Sequence, residues 1–318
     1  MRLLAICWFL VLCVGMLKAQ PAEYQANVRK AEEQLSAKDY AAAAQSYSAA
    51  FKSFGWKGYQ QDRYNAARAW AMSGVGDSAF FNLYRIVEKL KFDNLDQVSA
   101  ETNFQPLHKD ARWADLCAKI KANQPTMPEL RKELQAILED DQKYRLMIDS
   151  VEKKYGQRES AEMRRLWHTI AEKDSVNLVK ITAILDKYGW LGPDKVGTDG
   201  NQALFLVIQH SDLSVQEKYL PMMREAVKSR KAEGGQLALL EDRVNMRNGR
   251  KQIYGSQIRQ NPETGVYSIF PIEDPKNVDK RRAEVGLGNL AEYVSTWGLI
   301  WNSEEADKME KTPFDPKK

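Results

Sequence analysis

The sequence predicts a mainly α protein: helical hairpins, followed by a helical domain that carries one inserted β-hairpin. Apolar residues recur at intervals of three and four over most of the chain, which is typical of amphipathic helices. One stretch, at about 251–272, instead alternates branched, aromatic and polar residues around a turn, as paired strands do. A polar segment at 123–128 with two prolines, Pro125 and Pro128, suits a connector between the two parts.

The first residues have the pattern of a secretory signal. Arg2 gives a positive start, residues 3–17 are largely apolar, and Ala19 stands before a possible cleavage at Gln20. We therefore expect residues 1–19 to be removed and the mature chain to be periplasmic or secreted. An uncleaved anchor is the alternative, although a membrane span usually needs about twenty apolar residues. No later stretch is apolar enough to predict an integral membrane span.

The charge balance argues against a nucleic acid partner. The chain has 47 Lys and Arg against 43 Asp and Glu, a formal charge of +4. Loss of Arg2 and Lys18 with the signal reduces this to +2, whereas binding to a polyanion generally requires clustered basic residues. Cys117 would be the single cysteine of the mature chain, so we expect no intrachain disulfide.

Residues 24–120 are rich in alanine and contain aromatic residues at intervals. Asp39 stands where a turn between two helices is expected, and a second helical pair follows Tyr64 with its turn near Gly76. Small residues at these positions let paired helices approach closely. The most specific residues of the second pair are Tyr64-Asn65-Ala66-Ala67, Asp77, Asn103-Phe104-Gln105-Pro106-Leu107 and Asp110-Ala111-Arg112-Trp113. In these residues the segment resembles the tetratricopeptide repeat family, whose units of about 34 residues stack into a curved solenoid.

The resemblance implies that this half of the chain binds a peptide or partner protein as an adaptor, with a structural spacer as the alternative. Only two clear repeats are present, whereas about three or more are needed for independent stability. We therefore expect the array to be stabilised by contacts with the second domain or with another chain. Five aromatic residues are either ligand contacts or core residues: Tyr47, Trp56, Tyr59, Tyr64 and Trp70.

The second domain is predicted to begin with long helices. Apolar spacing over 129–155 predicts one amphipathic helix that ends at Gly156. Two shorter helices are expected at 163–170 and 178–188, separated at Asp174-Ser175. Short turns between successive helices predict a bundle.

A buried helix is expected at the centre of this bundle. The run 203–208 has no polar face, which indicates deep burial, and it follows a loop predicted at 189–197. Ser214 and Glu217 are spaced as a capping box for the next helix. That next helix is expected over 215–226, and another from Leu237 to near Gly249. After the hairpin, the predicted elements are helices near 277–285 and 289–300 and a flexible tail at 302–318.

Several polar residues of this domain lie at element ends, inside apolar helices or on the hairpin, and are candidates for a site. His210 can transfer protons near neutral pH, and Asp242 is the candidate partner that would orient it. The ligand-binding candidates are Asp212, Arg243, Gln252, Tyr254, Gln257, Arg281 and Arg282. An arginine among them could clamp a carboxylate or phosphate. The alternative is a structural network in which Asp242 pairs with an arginine.

The recognised reaction motifs are missing from the sequence. There is no zinc-binding His-Glu-x-x-His, no Gly-x-Ser-x-Gly elbow and no glycine-rich phosphate or dinucleotide loop, so no cofactor can be named. His108, His168 and His210 stand far apart in the sequence and predict no metal site. His168 is interpreted as structural.

Four groups of residues carry a second resemblance: Gln209-His210-Ser211-Asp212, Leu240-Glu241-Asp242-Arg243, Gly249 with Gln252-Ile253-Tyr254-Gly255-Ser256-Gln257, and Arg282 with Val285-Gly286-Leu287. In these, residues 129–301 resemble the bacterial family called domain of unknown function 6624. The family tends to show Tyr-Gly-Thr-Gln where this chain has Ser256, which keeps a hydroxyl. No activity is known for the family, so the resemblance marks candidate residues without naming a ligand.

Two hypotheses remain open from the sequence. The first is an exported adaptor that binds a peptide or protein through its repeats and has a small-ligand pocket in the second domain. The second is a secreted hydrolase or transferase in which His210 is the general acid or base, with Asp242 as its partner and an arginine as anion clamp. The enzyme requires His210, Asp242, Tyr254 and Gln257 around one open cleft, whereas the adaptor allows them to be separated or tied into buried bonds.

Overall fold

The computed structural model describes residues 22–155, 160–261, 265–304 and 306. These residues form mainly α-helices and one two-stranded antiparallel hairpin, which confirms the predicted fold class. The chain divides into two compact units between Pro125 and Thr126. No helix of the described residues is both long and apolar enough to cross a membrane. The predicted signal and most of the predicted tail lie outside the described residues.

The first unit is a series of helices that pair with their neighbours in sequence. Its helices are α1 (Ala22–Ser36), α2 (Tyr40–Ser53), α3 (Gln60–Met72), α4 (Gly76–Lys89), α5 (Leu95–Ala100) and α6 (Ala111–Ala122), with a 3₁₀ turn at Thr102–Leu107. Helix α1 packs on α2, and α3 packs on α4. Asp39 lies at the predicted turn and caps α2, because its carboxylate accepts the amide hydrogen of Ala42 at 3.2 Å.

Most of the five aromatic residues in question belong to the core. Tyr47 and Tyr64 are buried, and Tyr59 and Trp70 pack against the buried clusters from the edge. Trp56 differs from them, since 57% of its surface is exposed. Trp56 is therefore the most exposed of the five and the clearest candidate for a ligand contact.

The predicted connector is anchored at both ends. The side-chain amide of Asn123 donates to the carbonyl of Val87 at 2.8 Å, within the first unit. The backbone amide of Met127 donates to the carbonyl of Lys195 at 2.9 Å, within the second unit. Helix α7 (Pro128–Lys143) begins directly afterwards, and proline suits the first turn of a helix.

The second unit is a helical bundle with a hairpin near its carboxyl end. Its elements are α7 (Pro128–Lys143), α8 (Ile148–Tyr155), α9 (Ala161–Tyr188), α10 (Pro193–His210), α11 (Leu213–Lys228), α12 (Gly234–Arg247), β1 (Ile258–Gln260), β2 (Tyr267–Ile269), α13 (Val278–Glu284) and α14 (Leu290–Ser295). Helix α10 is central and contacts α7, α9, α11 and α12. Residues 203–208 are almost wholly buried, as predicted. The helix starts inside the expected loop and kinks at Gly197, where φ is +73°.

The predicted single helix at 129–155 is wrong, because the chain breaks at the 3₁₀ turn Arg145–Met147. There the carbonyl of Asp141 accepts a hydrogen bond from the Arg145 guanidinium at 2.6 Å. The predicted break at Asp174-Ser175 is also wrong, since α9 runs through it. The Ser175 hydroxyl donates to the carbonyl of Ala171 at 3.0 Å, so this serine is accommodated inside the helix.

Two further local predictions require correction. Helix α11 starts two residues earlier than the capping box implies: Asp212 is its N-cap residue instead of Ser214, and no side chain caps it. Glu217 instead accepts a hydrogen bond from the Asn248 side chain at 2.8 Å. The hairpin is confirmed, but its strands cover only three residues each, and 252–257 form a folded loop rather than a strand.

Candidate functional site

Asp242 is the anchor of the loop 252–257. Its carboxylate is fully buried and accepts hydrogen bonds from the backbone amides of Ile253 (2.6 Å), Tyr254 (3.0 Å) and Ser256 (2.9 Å). Burial raises the pKa of the Asp242 carboxyl, and the three amide bonds counteract part of that effect. A loop that converges on one carboxylate cannot be extended, which is why the predicted strand does not form here.

Glutamine side chains complete this loop from within. The Gln252 side chain donates to the carbonyl of Phe270 at 2.8 Å and accepts from the amide of Gln257 at 2.8 Å. Arg243 donates to the carbonyl of Gln209 at 3.0 Å and to the Gln257 side chain at 3.3 Å. These side chains are all buried, so their bonds act in the interior of the domain.

Two arginines close the loop from α13. Arg282 donates to the carbonyl of Tyr254 at 2.7 Å, and Arg281 donates to the carbonyl of Ile253 at 3.0 Å. The Tyr293 hydroxyl donates to the carbonyl of Ser256 at 2.8 Å. The structure thus brings seven predicted site residues together around one loop: Asp242, Arg243, Gln252, Tyr254, Gln257, Arg281 and Arg282. These contacts are structural hydrogen bonds within the protein.

His210 binds a different aspartate from the predicted one. Its Nδ1 lies 3.0 Å from Oδ1 of Asp141 on α7, and no described contact joins it to Asp242. The predicted His210–Asp242 partnership is therefore replaced by a His210–Asp141 pair. Asp212 also stays outside the loop cluster, because it begins α11. The other prediction, an ion pair between Asp242 and an arginine, is also not observed among the described residues. Backbone amides bind the Asp242 carboxylate instead.

Arg145 fixes the Asp141 carboxylate in place. One guanidinium nitrogen contacts Asp141 Oδ1 at 3.2 Å, and the other contacts both carboxylate oxygens of Asp174 on α9 at 2.8 and 2.7 Å. Gln142 donates to the second oxygen of Asp141 at 2.6 Å. Asp141 is thereby surrounded by donors, and the group ties together α7, the 3₁₀ turn, α9 and the end of α10.

The charges of this group decide its protonation. Burial opposes ionisation of Asp141, but the positive charges of its neighbours and its hydrogen bonds outweigh burial and lower its pKa. Burial lowers the pKa of His210, although the Asp141 carboxylate counteracts this. An ionised carboxylate only accepts hydrogen bonds, so Nδ1 of His210 carries the hydrogen and Nε2 of a neutral ring keeps its lone pair.

Both members of the pair are buried, the histidine slightly less than the aspartate. The His210 side chain keeps 8% of its surface exposed, against 1% for Asp141. Among the described residues, Nε2 has no hydrogen-bond partner.

Sequence reasoning missed Asp141, Arg145 and Asp174. The available signal was a spacing of four residues between Asp141, near the end of α7, and Arg145, in the turn that follows. An acid and a base at that spacing can meet on one face of a helical turn. Nothing in the sequence indicates that Asp174 and His210 join them. No group of three or more His, Cys, Asp or Glu side chains among the described residues is placed to hold a metal ion.

Comparison with known protein families identifies the family to which this domain belongs. Residues 128–300 match a family described as a family of unknown function (DUF6624). The chain belongs to this family. The matched range contains both the Asp242 loop and the His210–Asp141 pair, so both are features of the DUF6624 domain of this chain. No curated protein and no solved structure matched the chain.

Outside the DUF6624 domain, the first unit contains a buried cation. Arg63 is 3% exposed and donates to the Asn82 side chain at 2.8 Å and to the carbonyl of Trp56 at 2.6 Å. Its guanidinium carbon lies 4.2 Å from the centre of the Phe51 ring. Burial, followed by the positive charge of Arg85, lowers the pKa of Arg63 to about 10. No carboxylate among the described residues forms an ion pair with either arginine.

Proposed function

We propose that the protein is an exported adaptor whose first unit, a tetratricopeptide-like array, binds an acidic segment of a partner protein. The observation that carries the proposal is the buried Arg63, whose bonds go to an amide and a carbonyl instead of a carboxylate. A buried charge is costly when no opposite charge compensates it. A partner's carboxylate bound at the half-buried Arg85, whose charge acts on Arg63, would supply opposite charge close to Arg63 without having to reach it.

The surroundings of Arg63 suit such a segment. Arg85 lies one turn beyond Asn82 on α4, and its positive charge acts on Arg63. Trp56, whose carbonyl binds Arg63, has 57% of its surface exposed. Exposed aromatic and arginine side chains are typical anchors of protein interfaces.

The arrangement of the helices supports the same role. Helices α1 to α4 pair consecutively, and alanines such as Ala43, Ala66 and Ala67 are fully buried between them. Repeated helical pairs of this kind present an extended surface to peptides. The signal pattern of residues 1–19 supports export, so the partner is expected outside the cytoplasm.

Fluorescence anisotropy with a short labelled peptide of Glu and Gly would test this function. We expect the peptide to bind, and Arg85→Glu to weaken binding by about tenfold or more because it replaces attraction by repulsion. Arg29→Glu is the matched control, because Arg29 is exposed on α1 and its replacement by Glu changes the net charge by the same amount.

The control variant should change the affinity by less than about twofold. A peptide with Gln in place of Glu should not bind. Equal weakening by both substitutions, or equal binding of the Glu and Gln peptides, would contradict a carboxylate-binding site at Arg63 and Arg85.

A further inference from the structure

We propose that the acidic segment bound by the first unit carries a large apolar side chain two residues away from a carboxylate. Phe81 of α4 binds the apolar side chain, and Arg85 binds the carboxylate. This pattern narrows the proposed function, on which it rests, from any acidic segment to one kind of sequence. It is supported by the exposure of Phe81, by its contact with Arg85 and by the pairing of the acidic residues of α4.

Phe81 presents a large apolar surface to solvent. Its side chain is 54% exposed, whereas Phe80 and Leu83 on the same helix are buried in the core of the first unit. Burial of such a ring against an apolar side chain is favourable, and aromatic residues are common anchors of protein interfaces. Phe81 therefore offers a contact surface that the core of the first unit leaves uncovered.

Phe81 and Arg85 lie one turn apart on α4 and contact each other. The guanidinium carbon of Arg85 lies 5.6 Å from the centre of the Phe81 ring, within the range of a cation–π contact. The charge of Arg85 also acts on the buried Arg63. An apolar group and a positively charged group thus lie side by side on one face of the helix.

Both acidic side chains of α4 are paired with basic residues of α6. Asp77 Oδ1 lies 2.8 Å from Nη1 of Arg112, and Glu88 Oε1 lies 4.0 Å from Nζ of Lys119. Arg85 is half-buried, and no carboxylate in the described part of the chain forms an ion pair with it. A carboxylate of another chain therefore suits Arg85 as its ion-pair partner.

The distance between the Phe81 ring and the Arg85 guanidinium sets the spacing expected in the segment. In an extended chain, successive side chains point to opposite sides, and side chains two residues apart share a side at a separation of about 7 Å. That separation is close to the 5.6 Å between ring and guanidinium. We therefore expect the apolar residue and the acidic residue at positions i and i+2, in either order.

Fluorescence anisotropy of the purified protein with three labelled peptides tests this pattern. The peptides have blocked ends and the sequences Glu-Gly-Phe-Gly-Glu, Glu-Phe-Gly-Gly-Glu and Glu-Gly-Gly-Gly-Glu, so that only the position or presence of the Phe differs. We expect the first peptide to bind about tenfold more tightly than the third. The second should bind within about threefold of the third, because its Phe is one residue from one Glu and three from the other.

Two variants assign the effect to Phe81. Phe81→Ser should weaken binding of Glu-Gly-Phe-Gly-Glu by about tenfold and change that of Glu-Gly-Gly-Gly-Glu by less than about twofold. Met72→Ser is the matched control, since Met72 is 39% exposed at the end of α3 and its replacement also removes an exposed apolar side chain. Unchanged binding by Phe81→Ser, or equal weakening by both variants, would overturn the proposal.

The peptide series also separates this proposal from the adaptor function itself. Equal affinities of the wild type for all three peptides would overturn the apolar position and leave the binding of acidic segments intact. Binding of Gln-Gly-Phe-Gly-Gln as tight as that of Glu-Gly-Phe-Gly-Glu would instead contradict a carboxylate-binding site. Absence of binding for every peptide would contradict both.

Discussion

The two buried aspartates of the DUF6624 domain show how the immediate surroundings decide what a carboxylate does. Asp242 accepts three backbone amides, and it holds a loop closed. Asp141 accepts side-chain donors, and one of them is the imidazole of His210. Both residues are at most 1% exposed, so burial alone does not tell which kind of donor each carboxylate binds.

Replacement of Asp242 by Asn should destabilise the protein strongly. The substitution turns one accepting oxygen into a donor that faces backbone N–H groups, so at least one buried amide loses its partner. We expect a loss of about 3 kcal/mol in the free energy of unfolding, measured by urea denaturation.

Asp212→Asn is the control for this change. It makes the same chemical substitution at a helix start where no side-chain cap is formed, so the loss should stay below about 0.5 kcal/mol. Similar losses for both variants would show that Asp242 does not anchor the loop in the way its contacts indicate.

At the scale of elements, the conformation of the loop 252–257 is what the sequence pattern failed to predict. Alternation around Tyr254 has the period of a strand, but Gly255 has a φ of +70° and the flanking amides turn inward to Asp242. A carboxylate eleven to fourteen residues away cannot be read from the local period. By contrast, residues 203–208 were predicted correctly because continuous apolarity directly reflects burial.

Gly255→Ala should disrupt this loop more than a positive φ alone explains. A β-carbon at this position would lie 2.8 Å from Ile272 Cδ1 and 2.9 Å from Leu290 Cδ2. Backbone strain of about 1 kcal/mol then adds to overpacking of about 1–3 kcal/mol. Thermal unfolding should show the loss as a lower midpoint.

Gly286→Ala separates the two causes. Its φ is +82°, but no atom lies within 4 Å of the added carbon, so only the strain of about 1 kcal/mol is expected. If Gly255→Ala were no worse than this control, the packing of Ile272 and Leu290 against the glycine would not matter for stability.

At the scale of the whole molecule, the sequence predicted the fold class and the polar residues but not their partners. The candidates from Asp242 to Arg282 do meet, because they lie on elements that fold locally around one loop. His210 and Asp141 are 69 residues apart and meet only through the packing of α7 on α10. A contact of that range depends on tertiary structure, which periodicity does not report.

Export is a testable property of the full chain. Expression in a bacterial host followed by cell fractionation and amino-terminal sequencing should recover a mature protein that begins at Gln20. Leu10→Arg would place a charge in the apolar stretch and should retain the uncleaved protein in the cytoplasm, whereas Leu10→Ile should not. Cytoplasmic recovery of the unaltered chain would contradict export.

The donors that close the Asp242 loop come from the last part of the chain. The carbonyls of Tyr254 and Ser256 receive their hydrogen bonds from Arg282 and Tyr293. During synthesis on the ribosome, the helices around α10 emerge well before these donors do. A chain that ends just before Arg282 would therefore contain the helices of the apolar bundle but would leave both carbonyls without these two donors, so the loop can be completed only after residues 282 and 293 have been synthesised.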